Sequence, residues 1–164
     1  MTRVCLIGEA GTNLQYELLS RETAREALST YDLERPFENS LAVRTVSLGA
    51  AVSLLNDLNW YLTRFVDEVL VSEPSVSDRE WLSRPLAIRL RNGDIEPDDT
   101  AEFCKIYGLE RIDPDSEPTA DAGQTYRLVE PLYVRRVDGD RPEYDLRDVE
   151  ETLVVRLTET EYSS

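Results

Sequence analysis

Between Ala51 and Val69 the apolar residues Ala51, Leu55, Leu58, Leu62, Phe65 and Val69 recur at intervals of 4, 3, 4, 3 and 4. No other stretch of the chain constrains the fold as tightly. That spacing lays a single apolar stripe along one helix face, which must be buried against something. Ser47 opens the segment and Glu73-Pro74 closes it, so the pattern predicts a helix over residues 48–71. At about 1.5 Å per residue it would span on the order of 35 Å, about the width of a whole domain.

The elements around it follow from shorter patterns. Val4, Cys5, Leu6 and Ile7 run apolar without alternation, as in a buried strand. Gly8 and Gly11 punctuate the loop that follows, and Thr12 or Asn13 can cap a helix. That helix runs through Leu14, Leu18, Leu19, Ala24, Ala27 and Leu28, with an interruption near Ser20. Pro36 and Asn39 mark a loop before a second strand from Leu41 to Val46. Strand, helix and strand within about 45 residues read as a βαβ unit with parallel strands.

Further along, Ser77-Asp78-Arg79-Glu80 has the form of a capping box for a helix ending at Asn92-Gly93, with Pro85 kinking it. Pro97 suits the first turn of another helix, running through Ala101, Phe103, Cys104 and Tyr107 to Gly108. Residues 109–125, broken by Pro114 and Pro118, read as an acidic loop. Tyr126–Val137 turns to strand, where Pro131 implies an edge position or a bulge. Asp138-Gly139-Asp140 makes a turn, and Thr152–Tyr162 alternates with Leu153, Val155 and Leu157 on one face. The expected fold is α/β (α+β), a single domain over residues 1–164. Its mixed sheet has four to five strands, with an N-terminal βαβ unit, the long central helix and a C-terminal antiparallel hairpin.

Charge decides the solvent. The 164 residues carry 33 Asp and Glu against 18 Lys and Arg, a formal charge of −15 without a histidine. All but one of the basic residues are arginine, the exception being Lys105. About 2–8 charges suffice for a small soluble domain. Such self-repulsion destabilises a compact state at ordinary salt, and halophiles use that lever. At molar salt the Debye length falls to about 3 Å and the repulsion largely vanishes. The composition therefore predicts a salt-rich cytoplasm. No uncharged apolar window long enough for a membrane helix occurs, and the short run from Met1 to Ile7 does not make a signal peptide. The charge is uneven: 13 acids face 10 bases over residues 1–91, but 10 acids face 2 bases over residues 92–121.

The missing histidine removes Ser-His-Asp and Cys-His catalysis and imidazole zinc sites. Cys5 and Cys104 lie in apolar stretches and read as small core residues, too few for a disulfide framework. No catalytic residue, metal site or cofactor is assigned. The strand-turn-helix Gly8-Glu9-Ala10-Gly11-Thr12-Asn13 occupies the place where α/β proteins hold phosphates, making Gly8, Gly11, Thr12 and Asn13 the candidate ligand-binding residues. It lacks a third glycine and a Gly-Lys-Ser/Thr, and Glu9 repels phosphate, so an ordinary turn is the competing reading. Asp113-Pro114-Asp115-Ser116-Glu117 fails as a calcium loop, with Pro118 where glycine is needed. Arg84, Arg89 and Arg91 form a local basic group without the aromatics of an RNA-binding sheet, so nucleic acid is not the expected partner.

On the helical wheel Trp60 falls opposite the Leu55–Leu62 stripe, grouped with Asn56 and Thr63. A Trp there is either buried under another element with its indole N–H paired, or offered to a partner. Burial is the expectation for a central helix contacted on both sides. Asn56, Trp60 and Thr63 form the candidate interaction surface if it is not met. Trp81, beside Leu82, Pro85 and Leu86, reads as core.

Three blocks resemble an uncharacterised family of small haloarchaeal proteins: Val4-Cys5-Leu6-Ile7-Gly8, Tyr16 to Ala24, and Leu54-Leu55-Asn56-Asp57-Leu58-Asn59-Trp60-Tyr61. The resemblance implies a haloarchaeal cytoplasm and transfers no catalytic residue. The leading functional expectation is a non-enzymatic protein-binding or regulatory module whose company is a protein partner or a second copy of itself. The alternative is a small-molecule or nucleotide-binding domain using the Gly8–Asn13 turn, and the second alternative a nucleic-acid-associated factor.

Overall fold

Strand β1 (Thr2–Gly8) runs apolar because both of its faces are covered. Val4 and Leu6 enter one layer, Cys5 and Ile7 the other, as the two-residue period of a strand requires. The computed structural model describes residues 1–111, 126–136, 149 and 151–163. Among them the strands are β1, β2 (Ser40–Thr45), β3 (Val66–Ser72), β4 (Trp81–Ser83), β5 (Phe103–Arg111), β6 (Tyr126–Arg135) and β7 (Glu151–Arg156). All seven form one open mixed sheet in the order β2-β1-β3-β4-β7-β5-β6. The helices are α1 (Leu14–Leu19), α2 (Glu22–Leu28), α3 (Leu48–Asp57), α4 (Asn59–Phe65), α5 (Arg84–Arg91) and α6 (Glu159–Ser163). The α+β class holds, but the expected four to five strands become seven.

The N-terminal unit is not βαβ. β1 and β2 pair antiparallel, with Ile7 opposite Ser40 and Thr2 opposite Thr45. The break after Ser20 divides the connection into two helices, and the chain returns at the end of β1 that it left. Parallel pairing needs a crossover to the opposite end, which this connection does not make. Asn13 does cap α1, accepting the Tyr16 N–H at 3.0 Å.

The long central helix is also corrected. α3 stops at Leu58, which serves as its C-cap and as the N-cap of α4, and from Val66 the backbone is extended. The stripe from Ala51 to Leu62 is real, and all four of its residues Ala51, Leu55, Leu58 and Leu62 are buried. Beyond Phe65 the sequence Val66-Asp67-Glu68-Val69-Leu70-Val71 is rich in β-branched residues, and pairing with β1 and β4 claims it for the sheet. Val69 fell on the helical stripe by coincidence of spacing.

Ser77 accepts the Glu80 N–H at 3.1 Å, as a capping residue would. The chain nevertheless enters β4, and α5 begins later under Ser83, which accepts the Leu86 N–H at 3.3 Å. Pro85 lies in the first turn of α5, where no N–H is needed, and does not kink it. The helix predicted from Pro97 to Gly108 is a single 3₁₀ turn, Pro97–Asp99, followed by β5. Phe103, Ile106 and Tyr107 are strand formers, and Gly108 lies inside β5 rather than ending a helix. The predicted C-terminal hairpin is absent too. β6 and β7 do not pair with each other; each pairs antiparallel with β5 between them. Pro131 sits on the edge strand, where Tyr107 faces both Glu130 and Pro131 across a register shift. Of the acidic loop read over 109–125, residues 109–111 belong to β5 and the remainder lies outside the described residues, as does the turn at Asp138–Asp140.

Two apolar layers result. One face of β1, β2 and β3 packs under the helices through Val4, Leu6, Val43, Val71, Leu55 and Leu86. The opposite face, through Cys5, Ile7, Ala42 and Leu70, packs against Tyr107, Leu153 and Val155. β1 and β5 are separated by three strands in the sheet order, so this contact requires the sheet to curl over on itself. One backbone bond draws its far ends together: Glu38 N–H, in the loop before β2, donates to Tyr126 O of β6 at 2.8 Å.

Candidate functional site

The curl leaves an open cleft of about 1070 Å³ where the two ends of the sheet meet. One wall is the Gly8 turn, whose shape is set by Asn39. Asn39 adopts φ = 53°, a left-handed conformation that Asn tolerates better than most residues. Its carbonyl accepts the Gly8 N–H at 2.8 Å. Its side-chain oxygen accepts the Leu14 N–H at 2.9 Å, and its amide donates to Glu9 O at 3.2 Å. A Cβ on Gly8 would stand 2.5 Å from Asn39 Nδ2 and 2.9 Å from Leu14 Cβ. The first glycine is therefore required by a close approach, while Gly11 is required by its φ of 83°.

Gly8, Gly11, Thr12 and Asn13 all line the cleft. Within the turn, Glu9 N–H donates to Phe65 O and Thr12 N–H to Glu9 O, both at 3.0 Å. The amides of Ala10, Gly11 and Asn13 bond to no other described residue. The Asn13 side chain is committed to its helix cap.

The other wall comes from distant sequence: Asp67 of β3, Tyr107 of β5, and Arg127, Leu128 and Pro131 of β6. Tyr107 is anchored behind it by Glu68, whose carboxylate accepts the phenol O–H at 2.7 Å and pairs with Lys105, the chain's one lysine. Burial, then the Glu68 carboxylate, pushes the Tyr107 phenol far above the usual tyrosine range, so it stays protonated. Arg127 pairs with Glu110, and Arg35, also in the cleft, hydrogen-bonds Gln15. Glu38 and Asp67 are exposed and form no ion pair with another described residue. The cleft thus offers amide and hydroxyl donors at the Gly8 turn, with a carboxylate acceptor beside the turn in Glu38 and another on the opposite wall in Asp67. Its distant wall left little local trace in sequence; the lone lysine beside a tyrosine two residues on was the available signal.

The Asn56–Tyr61 block has a separate, largely internal explanation. Asn59 and Asn56 accept hydrogen bonds from the Arg84 guanidinium at 2.8 and 3.1 Å, tying α3 and α4 to the start of α5. Burial lowers the Arg84 pKa. Trp60 is 48% exposed rather than buried, because α4 has solvent on that side. Arg64 lies 3.9 Å from its ring centroid and Arg21 5.7 Å, geometry that favours cation–π attraction. Thr63 is exposed beside it. Trp81 is half-buried against the inner layer, with Arg3 over its ring at 5.7 Å.

Both cysteines are buried and unpaired. Burial pushes the Cys5 thiol up to about 12 and raises Cys104 as well, which keeps both as thiols. Among the described residues no group of three or more His, Cys, Asp or Glu could hold a metal ion, and no helix is long and apolar enough to cross a membrane. The chain belongs to a Family of unknown function (DUF5804), whose model matches residues 2–109, from β1 to near the end of β5. It matches no curated protein and no solved structure.

Proposed function

We propose that this member of the family is a ligand-binding module of a salt-rich cytoplasm, and that it binds a small polar molecule in the cleft at the Gly8 turn. One observation carries the reading: Gly8, Gly11, Thr12 and Asn13 meet a second wall from β3, β5 and β6 across a cleft of about 1070 Å³. Small-ligand sites run from about 300 to 1,000 Å³, so space is sufficient. Three unengaged amides favour an acceptor on the ligand, while Glu38 and Asp67 favour hydroxyl or amino donors. Glu9, Glu38 and Asp67 together disfavour a phosphate. A polyol, amino sugar or amino acid fits this chemistry better than a nucleotide. Binding rather than catalysis is favoured because the nearby phenol is held protonated and both thiols are buried.

Thermal-shift measurements in molar KCl across polyols, amino acids and nucleotides test the reading. A polyhydroxy or amino ligand should raise Tm, and Glu38→Gln with Asp67→Asn should erase that shift while leaving the unliganded Tm in place. A response confined to nucleotides, or none in any class, overturns it. The salt assignment rests on the charge of −15 and on the haloarchaeal resemblance; Tm should climb steeply with KCl. A second reading, a non-enzymatic protein-binding or regulatory module, is supported by the half-exposed Trp60 between Asn56 and Thr63. In that case Trp60→Ala removes a co-purifying protein and leaves the ligand shift unchanged.

A further inference from the structure

Arg3, Arg44, Arg127, Arg135 and Arg156, among others, each meet a carboxylate. Arg89 and Arg91 on α5 are exposed and meet none among the described residues. Nor do the exposed acids just beyond them, Asp94, Glu96, Asp98 and Asp99, pair with a described base. Opposite charges adjacent in sequence are kept apart by how α5 ends. Asp94 N–H donates to Arg89 O at 2.9 Å and Gly93 N–H to Leu90 O at 3.2 Å, with Gly93 at φ = 77°. This is a Schellman closure. Ile95 then tucks against the helix-side core and fixes the acidic turn beyond the helix end.

Beside Arg89 runs a groove of about 710 Å³ floored by Pro85 and Ile88 and bordered by Arg84, Thr158 and Thr160. Its one acid, Glu161, is turned inward, accepting Ser83 Oγ–H at 2.5 Å and Thr158 N–H at 3.0 Å. The groove therefore presents an apolar floor beside unopposed positive charge, in a chain whose net charge is −15.

We propose that a second copy of this chain covers the groove, with α5 packed antiparallel to its counterpart across a two-fold axis. With the two-fold axis near the C-terminal end of α5, antiparallel placement sets the last turn of each helix, with Arg89 and Arg91, beside the Asp94–Asp99 turn of the other, whereas an axis at mid-helix would bring Arg84 against Arg91. A parallel arrangement would set like charge against like. The two-fold makes the contact twice over, as an isologous interface requires. Salt favours this dimer: the repulsion between two strongly negative chains is screened beyond about 3 Å at molar ionic strength, while contact pairs and apolar burial remain. This inference is independent of the cleft and its ligand.

Sedimentation equilibrium across a KCl series tests it. The expected mass in molar KCl is twice the 18.7 kDa of the chain, falling toward one chain as salt is lowered. Arg89→Glu and Asp98→Arg should each weaken association on the order of tenfold or more, since each sets like charges together. Mixing the two variants, or combining both changes in one chain, should restore the dimer. A monomer at every salt, a dimer indifferent to both substitutions, or singles that dissociate without rescue would each overturn the proposal. Circular dichroism of the variants separates dissociation from unfolding.

Discussion

Strands β1 and β5 each lie inside their half of the sheet, yet their surroundings differ. β1 is covered by apolar layers on both faces, and the ion pairs near it, Arg3–Glu34 and Arg44–Glu34, sit at the surface. Around β5 charge is taken inside. Glu68 holds Lys105 and Tyr107, and Glu80 holds Arg136 at 2.6 Å and Arg156 at 2.8 Å, with Arg156 also donating to Thr100 Oγ1 at 2.8 Å. These side chains are 10–19% exposed. The difference shows two ways of building one fold from an acidic chain. Where acids and bases nearly balance, over residues 1–91, apolar burial holds the sheet. The other half spends its scarce cations, Lys105, Arg136 and Arg156, on two carboxylates of the first, Glu68 and Glu80, that are taken inside with them. Such pairs add little net stability when intact but are costly to break.

Truncation on the apolar side should have the largest effect. Leu55 is fully buried, and Leu55→Ala should cost about 2–5 kcal/mol in urea unfolding at high salt. On the ionic side, Glu80→Gln leaves two nearly buried guanidinium groups without their anion and should cost on the order of 2–4 kcal/mol. Replacing Arg136 and Arg156 by Met as well should recover most of it; if it does not, the network contributes more than its broken state suggests.

Acid should find the same site. Burial pushes the Glu80 carboxyl up, but the hydrogen bonds and charge of Arg136 and Arg156 outweigh that and hold it below the ordinary value of 4.5. Its contribution is thus present above pH 4.5 and is lost as pH falls through the lower folded value, so Glu80→Gln should flatten the acid limb of the stability curve. Tyr107 works in the opposite direction. Its raised folded pKa makes its contribution complete below the ordinary tyrosine value of 10.0, declining as pH rises from there, and Tyr107→Phe should remove that alkaline loss. Gly8→Ala should cost about 1–3 kcal/mol through its clash with Asn39 and Leu14 and should weaken cleft binding beyond that. Smallest of all, Trp60→Ala should change stability by less than about 1 kcal/mol, as for other partly exposed sites.

Local signals in the sequence were read correctly where one segment sufficed. The unalternating run in β1, the Asn13 cap, the break near Ser20, the Asn92-Gly93 stop and the edge position of Pro131 needed no partner. Failures came where tertiary pairing chose between two allowed states. Val66–Val71 continued a helical stripe until β1 claimed it, and Phe103–Tyr107 sat behind a helix-starting proline until β6 and β7 flanked it. Thr158 and Glu161 form a reciprocal capping box, with Glu161 N–H on Thr158 Oγ1 at 3.2 Å and Thr158 N–H on Glu161 Oε1 at 3.0 Å. That signature was present but hidden by the alternation of Leu153, Val155 and Leu157. At the cleft, the Gly8 wall was legible as a turn, whereas Asp67, Tyr107 and Arg127 arrive only when the sheet curls.

Strand β4 is three residues long and joins the two halves, antiparallel to β3 through Leu70–Ser83 and parallel to β7 through Trp81–Val155. Its second neighbour is thus made more than seventy residues after it. On the ribosome, β1, β2 and β3 can assemble under their helices while β4 still presents an open edge and the Cys5–Leu70 face still lacks its cover. Closing that gap means bringing remote chain ends together, a slow kind of step. The interval exposes a pairing-competent strand, the condition under which chains join wrongly. A dense coat of carboxylates would then protect the unfinished molecule as much as the finished one.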